Sequence, residues 1–198
     1  MFINWKTKEL DLNIVYAGVA LSGKTTNLEQ IHSHIRPEYR IQLTTLQTNE
    51  DRTIFFDFLH LNLNPIAGLT PKFGLYTVPG QVYYEATRDI ILNKADGIVF
   101  VVDCASKRIH ENLEAWQSLR EKLAARSEEP GKFPTVIQFN KCDLPDAVET
   151  DEIKSLLKVE SLPCFEAVAI NYQGVNETLF AIIKGVFLRA TNSLKQRN

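Results

Sequence analysis

What this sequence has little of excludes several classes before any motif is read. It holds three cysteines, Cys104, Cys142 and Cys164, an odd number without C-x-x-C spacing. Neither a disulfide framework nor a cysteine zinc site fits that count, so packing by reduced thiols is the expected role of all three. Long apolar runs are scarce. The longest strong one, Ile98-Val99-Phe100-Val101-Val102, falls far short of the roughly 20 residues that a membrane-spanning helix needs. Charge of one sign is not in excess either: the formal net charge is −2, which offers no basic field for nucleic acid and no polybasic surface for anionic lipid. There is no signal peptide, no cysteine near the C-terminus for prenylation, and Phe2 stands where myristoylation needs glycine. A cytoplasmic protein with no direct membrane anchor is expected. His32 and His34 lie two apart on an expected helix and so face different ways, while His60 and His110 are isolated, which argues against a histidine metal site.

What is present is an ordinary globular composition. The 198 residues, 44% hydrophobic and 23% charged, suit a single domain over 1–198 with its core at about 11–189. Residues 1–9 read as a short polar cap and Arg36 to Arg52 as a long loop without a clean period. Two β-rich runs, Thr53 to Leu59 and Lys72 to Val78, look like a hairpin. Helical patterns at about Tyr84–Asn93, Lys107–Ala125, Asp151–Leu157 and Val175–Arg189 alternate with apolar strands at Gly97–Asp103, Thr135–Asn140 and Cys164–Ala169. Trp116 falls on the apolar face of its helix with Leu113, Leu119 and Leu123 and is expected in the core. The pattern predicts an α/β fold, a doubly wound sheet of six strands, mostly parallel with one antiparallel strand, and helices on both faces.

One stretch organises the rest. Gly18-Val19-Ala20-Leu21-Ser22-Gly23-Lys24-Thr25 fits the P-loop pattern G-x-x-x-x-G-K-[ST]. The buried run Leu12 to Ala17 before it reads as a strand and Thr26 to Ile35 after it as a helix. A loop wrapped around a phosphate must turn tightly at its glycines while its N–H groups point inward, and the helix N-terminus adds its positive dipole end. Lys24 is placed to reach the β- and γ-phosphates and the Thr25 hydroxyl to bind Mg²⁺. Ala20, Leu21, Ser22 and Thr26 complete the expected phosphate contacts.

P-loops also serve kinases and ATPases, so the base needs its own signal. Asn140-Lys141-Cys142-Asp143 at the end of a strand supplies one. A carboxylate accepts hydrogen bonds from both the N1–H and the exocyclic amine of guanine, whereas adenine presents neither donor there. GTP or GDP is therefore the expected ligand.

At this point the chain resembles the Ras-like small GTPases from about Asp11 to Arg189, and within them the bacterial MglA group of polarity GTPases. The L-S-G-K-T-T form of the P-loop carries the resemblance, with Asp51-Arg52-Thr53 leading into Phe55-Phe56-Asp57-Phe58 and with Thr77-Val78-Pro79-Gly80-Gln81. Phe165 to Ala169 resembles the last guanine-contacting segment, in which Val168 and the Ala169 backbone would face the base. The resemblance implies that Gln81 orients the attacking water, that the Gly80 N–H senses the γ-phosphate, and that Thr53 closes on Mg²⁺. It implies for Arg52 a charge-stabilising role in cis, and for partners a roadblock-fold activator of the MglB type. Tyr83 and Tyr84, with the hairpin phenylalanines, adjoin the switches and are candidates for partner contact.

Three departures qualify the resemblance. Thr77 stands where most small GTPases have an aspartate holding a magnesium water, as it does across the MglA group. Asp57 is the candidate substitute, yet in a regular strand it lies about 13 Å from Thr53. Ala20 replaces a glycine, and its methyl crowds the place where Gln81 and an arginine meet the γ-phosphate, which predicts slow or partner-dependent hydrolysis. The third is the missing C-terminal lipid site, which MglA proteins also lack. A guanine-nucleotide-binding scaffold that barely hydrolyses is one alternative, and a P-loop kinase of a small metabolite another.

Overall fold

Short apolar strands alternating with one-sided helices leave every strand with two faces to cover, and the chain covers them from both sides of one sheet. The computed structural model describes residues 1–35, 44–48, 52–59, 65–78, 85–125 and 133–196, with the backbone alone for 44–48, 52–59 and 85–88. In chain order the elements are β1 (Phe2–Asn4), β2 (Glu9–Ala17), α1 (Lys24–His34), β3 (Thr44–Thr48), β4 (Arg52–Leu59), β5 (Thr70–Thr77), α2 (Glu85–Asn93), β6 (Gly97–Asp103), α3 (Ile109–Ala125), β7 (Thr135–Asn140), α4 (Thr150–Leu157), β8 (Cys164–Ala167) and α5 (Val175–Lys195). Single 3₁₀ turns occupy Ser106–Arg108 and Ala169–Asn171.

The sheet runs β3-β4-β5-β2-β6-β7-β8. Its centre, β5-β2-β6-β7-β8, is parallel, and β4 joins it antiparallel through Asp57 opposite Leu75. These are the six expected strands. Two short antiparallel additions were not anticipated: β1 pairs with the first residues of β2, where a polar cap was expected, and β3 pairs with β4 inside the stretch read as a loop. β6 is buried along all seven of its residues, as a strand covered on both faces must be.

One face packs Leu28 and Ile31 of α1 and the apolar stripe of α5 (Val175, Leu179, Ile182, Ile183, Val186) against the sheet. The other packs α2, α3 and α4, with Trp116 at its middle. Trp116 is 4% exposed, lies 5.0 Å from the Phe100 ring and donates its indole N–H to the Leu157 carbonyl at 2.9 Å, so it belongs to the core as expected. Burial of each such large side chain contributes about 1.5–3 kcal/mol. Three polar side chains in this interior are paired with one another: Asn27 of α1 and Gln138 of β7 exchange two amide hydrogen bonds at 2.8 and 2.9 Å, and Gln138 also donates to Thr178 of α5 at 3.1 Å. That lattice ties the helix after the P-loop to the strand that carries Asn140. The three cysteines are free thiols. Among the described residues no helix is long and apolar enough to cross a membrane.

Candidate functional site

In this sheet β2 is the point where the strand order turns: β5 lies on one side of it and β6 on the other. Ligands in open α/β sheets bind in the crevice outside the carboxyl ends of strands at such a point. The residues singled out by motif collect there. The P-loop follows Ala17 at the end of β2, Thr77 ends β5, Asp103 ends β6, Asn140 ends β7 and Ala167 ends β8.

The P-loop takes its shape from positive φ angles at Gly18 (137°), Leu21 (63°) and Gly23 (99°). The two glycines are also sterically required. A Cβ on Gly18 would lie 2.3 Å from the Val101 carbonyl oxygen, and one on Gly23 would lie 2.1 Å from Asn140 Nδ2. Leu21 holds its angle at a cost of about 1–2 kcal/mol for a residue with a side chain. Lys24 is buried, and its ammonium donates to the carbonyls of Gly18 (3.0 Å) and Val19 (2.6 Å), inside the loop it serves. α1 starts at Lys24 with no acidic residue in its first turn, so the N–H groups of that turn and the helix dipole suit an anion. The Ser22 hydroxyl is fully buried and, among the described residues, has no hydrogen-bond partner.

The second motif is bound directly to the first. Asn140 is 2% exposed; its Nδ2 donates to the Ser22 carbonyl at 2.7 Å, and its Oδ1 accepts the Ala169 N–H at 2.9 Å. One side-chain amide thus joins the P-loop, the end of β7 and the segment after β8. Lys141 turns the chain at φ 66° and its ammonium donates to Asp103 Oδ2 at 2.6 Å. Asp143 is exposed at the mouth of the turn, and among the described residues its carboxylate has no protein hydrogen-bond partner. Cys142 contacts buried Cys104 at 3.8 Å between sulfurs. The hydrogen bond from Cys104 lowers the Cys142 thiol to about 7, while the same bond and burial push Cys104 up.

A family model for the ADP-ribosylation factor family matches residues 1–185. The chain belongs to that family. It is accordingly a small GTPase that binds guanine nucleotide. It is 45% identical over 183 residues to the mutual gliding-motility protein MglA of Myxococcus xanthus, covering 92% of this chain and 94% of the relative. It is 31% identical over 151 residues to ADP-ribosylation factor-like protein 6 of Caenorhabditis briggsae, covering 74% of this chain and 69% of the relative.

Within this ADP-ribosylation factor family member the expected phosphate and base residues lie together: Gly18, Ala20, Leu21, Ser22, Gly23, Lys24, Thr25 and Thr26 at one end, and Asn140, Lys141, Asp143, Val168 and Ala169 at the other. Two placements differ from expectation. The Ala169 N–H, expected to face the base, is turned to Asn140. Arg52, expected at the end of the loop, opens β4, and Thr53 follows it within that strand, as its β-rich run implied, opposite Gln47 of β3. Because β4 is continuous from Arg52 to Leu59, Thr53 and Asp57 stand about 13 Å apart along it. They are not gathered on one point here. Their side chains, and Gly80, Gln81, Tyr83 and Tyr84 entirely, lie outside the described residues. Thr77 is described and is buried, 1% exposed, opposite Tyr16.

Motif reading did not single out Asp103 or Arg108. Asp103 is a 2% exposed carboxylate that accepts from Lys141 Nζ and from the Ala105 N–H at 3.2 Å. A charged residue closing a wholly apolar strand at the ligand-binding edge was the available signal for it. Arg108 donates to the Ala20 carbonyl at 2.6 Å and has no motif to mark it.

Proposed function

We propose that this GTPase is a GTP-dependent switch in cell polarity or surface motility, with one G domain over the whole chain and slow intrinsic hydrolysis. The observation that carries the nucleotide half is the Asn140 amide, which joins the phosphate loop to the base-reading turn. Lys24 exchanges its loop carbonyls for the β- and γ-phosphates, and the N–H groups at the start of α1 receive the α- and β-phosphates. Asp143 accepts from the guanine edge while Lys141 packs beside it. The Thr25 hydroxyl at the helix start suits a hard cation with phosphate oxygens, and Thr53 and Asp57 are the further candidates. Bound Mg²⁺ supplies neutralisation of charge on the phosphates. Gln81 orients water, the Gly80 N–H senses the γ-phosphate, and Arg52 stabilises charge developing in transfer. The motility assignment follows the name of the Myxococcus relative, and a roadblock-fold activator of the MglB type is the proposed partner.

Equilibrium titration with GDP and ADP tests the nucleotide half: GDP is expected to bind at least about 100-fold more tightly, and equal affinity rejects the proposal.

A second reading, a binding scaffold that barely hydrolyses, is favoured by Ala20. Its residue lines a cavity of about 280 Å³ between the P-loop, Val78 and Glu111 of α3, at the end of β5 that leads to Gly80 and Gln81. Removing the methyl with Ala20→Gly is expected to raise single-turnover hydrolysis about tenfold with GDP affinity kept. An unchanged or lower rate, alone and with an activator, rejects the crowding argument.

A further inference from the structure

Arg108 closes the 3₁₀ turn after β6, and its side chain is 20% exposed. Its described contacts converge on the site. Nη2 donates to the Ala20 carbonyl at 2.6 Å, Nη1 donates to Glu111 at 2.6 Å, and Nε faces Asp103 Oδ2 at 3.9 Å. The same Asp103 oxygen accepts from Lys141. A buried carboxylate therefore stands between the cation that braces the phosphate loop and the cation of the base-reading turn.

The peptide joining Ala20 to Leu21 is trans, so its carbonyl and its N–H point in opposite directions. With the carbonyl directed at Arg108, the Leu21 N–H is directed away from Arg108. Leu21 meanwhile sits at φ 63° with its side chain 69% exposed. Core packing does not hold it in that costly conformation. A flip of this one peptide would turn ψ of Ala20 and φ of Leu21 together, relieve the strain at Leu21, and reverse the direction of its N–H. Breaking the Arg108 hydrogen bond is what such a flip requires.

We propose that Arg108 is a positioning residue for phosphate binding: its hydrogen bond to the Ala20 carbonyl locks the Ala20–Leu21 peptide with the Leu21 N–H presented to the nucleotide's phosphates. Asp103 aligns this brace with Lys141, so the two ends of the site are set from one carboxylate. The proposal rests on the guanine-nucleotide reading of the site and adds to it a residue outside both motifs.

The test is dissociation of a fluorescent GDP analogue from the full-length chain with Mg²⁺ present. Arg108→Gln is expected to speed dissociation about tenfold or more, with the preference for guanine over adenine kept because Asp143 is untouched. Leu21→Gly added to Arg108→Gln is expected to recover most of that loss, since glycine holds a φ near +63° without strain. A general loss of support for the fold would not be repaired by that second change. Arg108→Lys, which retains one donor and the charge beside Asp103 and Glu111, is expected to fall between the two and decides the matter if Arg108→Gln fails to fold. Dissociation from Arg108→Gln or Arg108→Lys at the parent rate overturns the proposal, as does failure of Leu21→Gly to rescue. A parent chain that binds no GDP at all overturns the nucleotide reading instead.

Discussion

Gly23→Ala is expected to abolish retention of GDP, raising its dissociation constant by at least about 100-fold, or about 2.7 kcal/mol. Two effects act in the same direction. Residue 23 holds φ 99°, outside the range that a side chain accepts without strain. The added Cβ would lie 2.1 Å from Asn140 Nδ2, so the amide must leave the Ser22 carbonyl. Displacing Asn140 also releases the Ala169 N–H, and a change in the phosphate loop thereby reaches the base-reading end. Titration with labelled GDP measures the loss, and circular dichroism checks that the sheet persists. Affinity within about fivefold of the parent would reject this dependence of one end on the other.

The second large effect is a change of ligand. Hydrogen bonds to a charged acceptor are worth about 1.5–3 kcal/mol each, and in the proposed function Asp143 accepts two from guanine. Asp143→Asn leaves one acceptor and turns an amide donor toward guanine's own amine, so GDP affinity is expected to fall about 100-fold or more. Xanthosine diphosphate, which carries a carbonyl where guanine carries that amine, matches the new pair and is expected to bind the variant better than GDP does. Competition between the two diphosphates reads the outcome. A variant that still favours GDP would remove Asp143 from base recognition.

The parts of the site legible in the sequence are those set by local backbone requirements. Two glycines at fixed spacing before a lysine describe a loop that must turn at those places, and the left-handed angles at Gly18 and Gly23 are that requirement met. The Asn140 motif was legible for a related reason, since it falls where a buried strand meets the crevice. The central strands were legible because full burial forces uninterrupted apolar runs. What was not legible depends on contacts between distant segments. Thr44–Thr48 has little apolar alternation, and becomes β3 because β4 offers an edge to pair with. β1 forms by the same means against β2. The direction of the Ala169 N–H is decided by an asparagine from another strand, and the brace from Arg108 to the Ala20 carbonyl spans 88 positions of sequence.

The Asn140 staple has one more implication. Because a single amide holds Ser22 and Ala169 on its two ends, changing the spacing between the two grips requires breaking at least one of its hydrogen bonds. On the proposed reading, in which one grip holds the phosphates and the other the base, the crevice then works as a gauge, and a ligand with a spacer shorter or longer than one pentose is expected to satisfy either grip but not both.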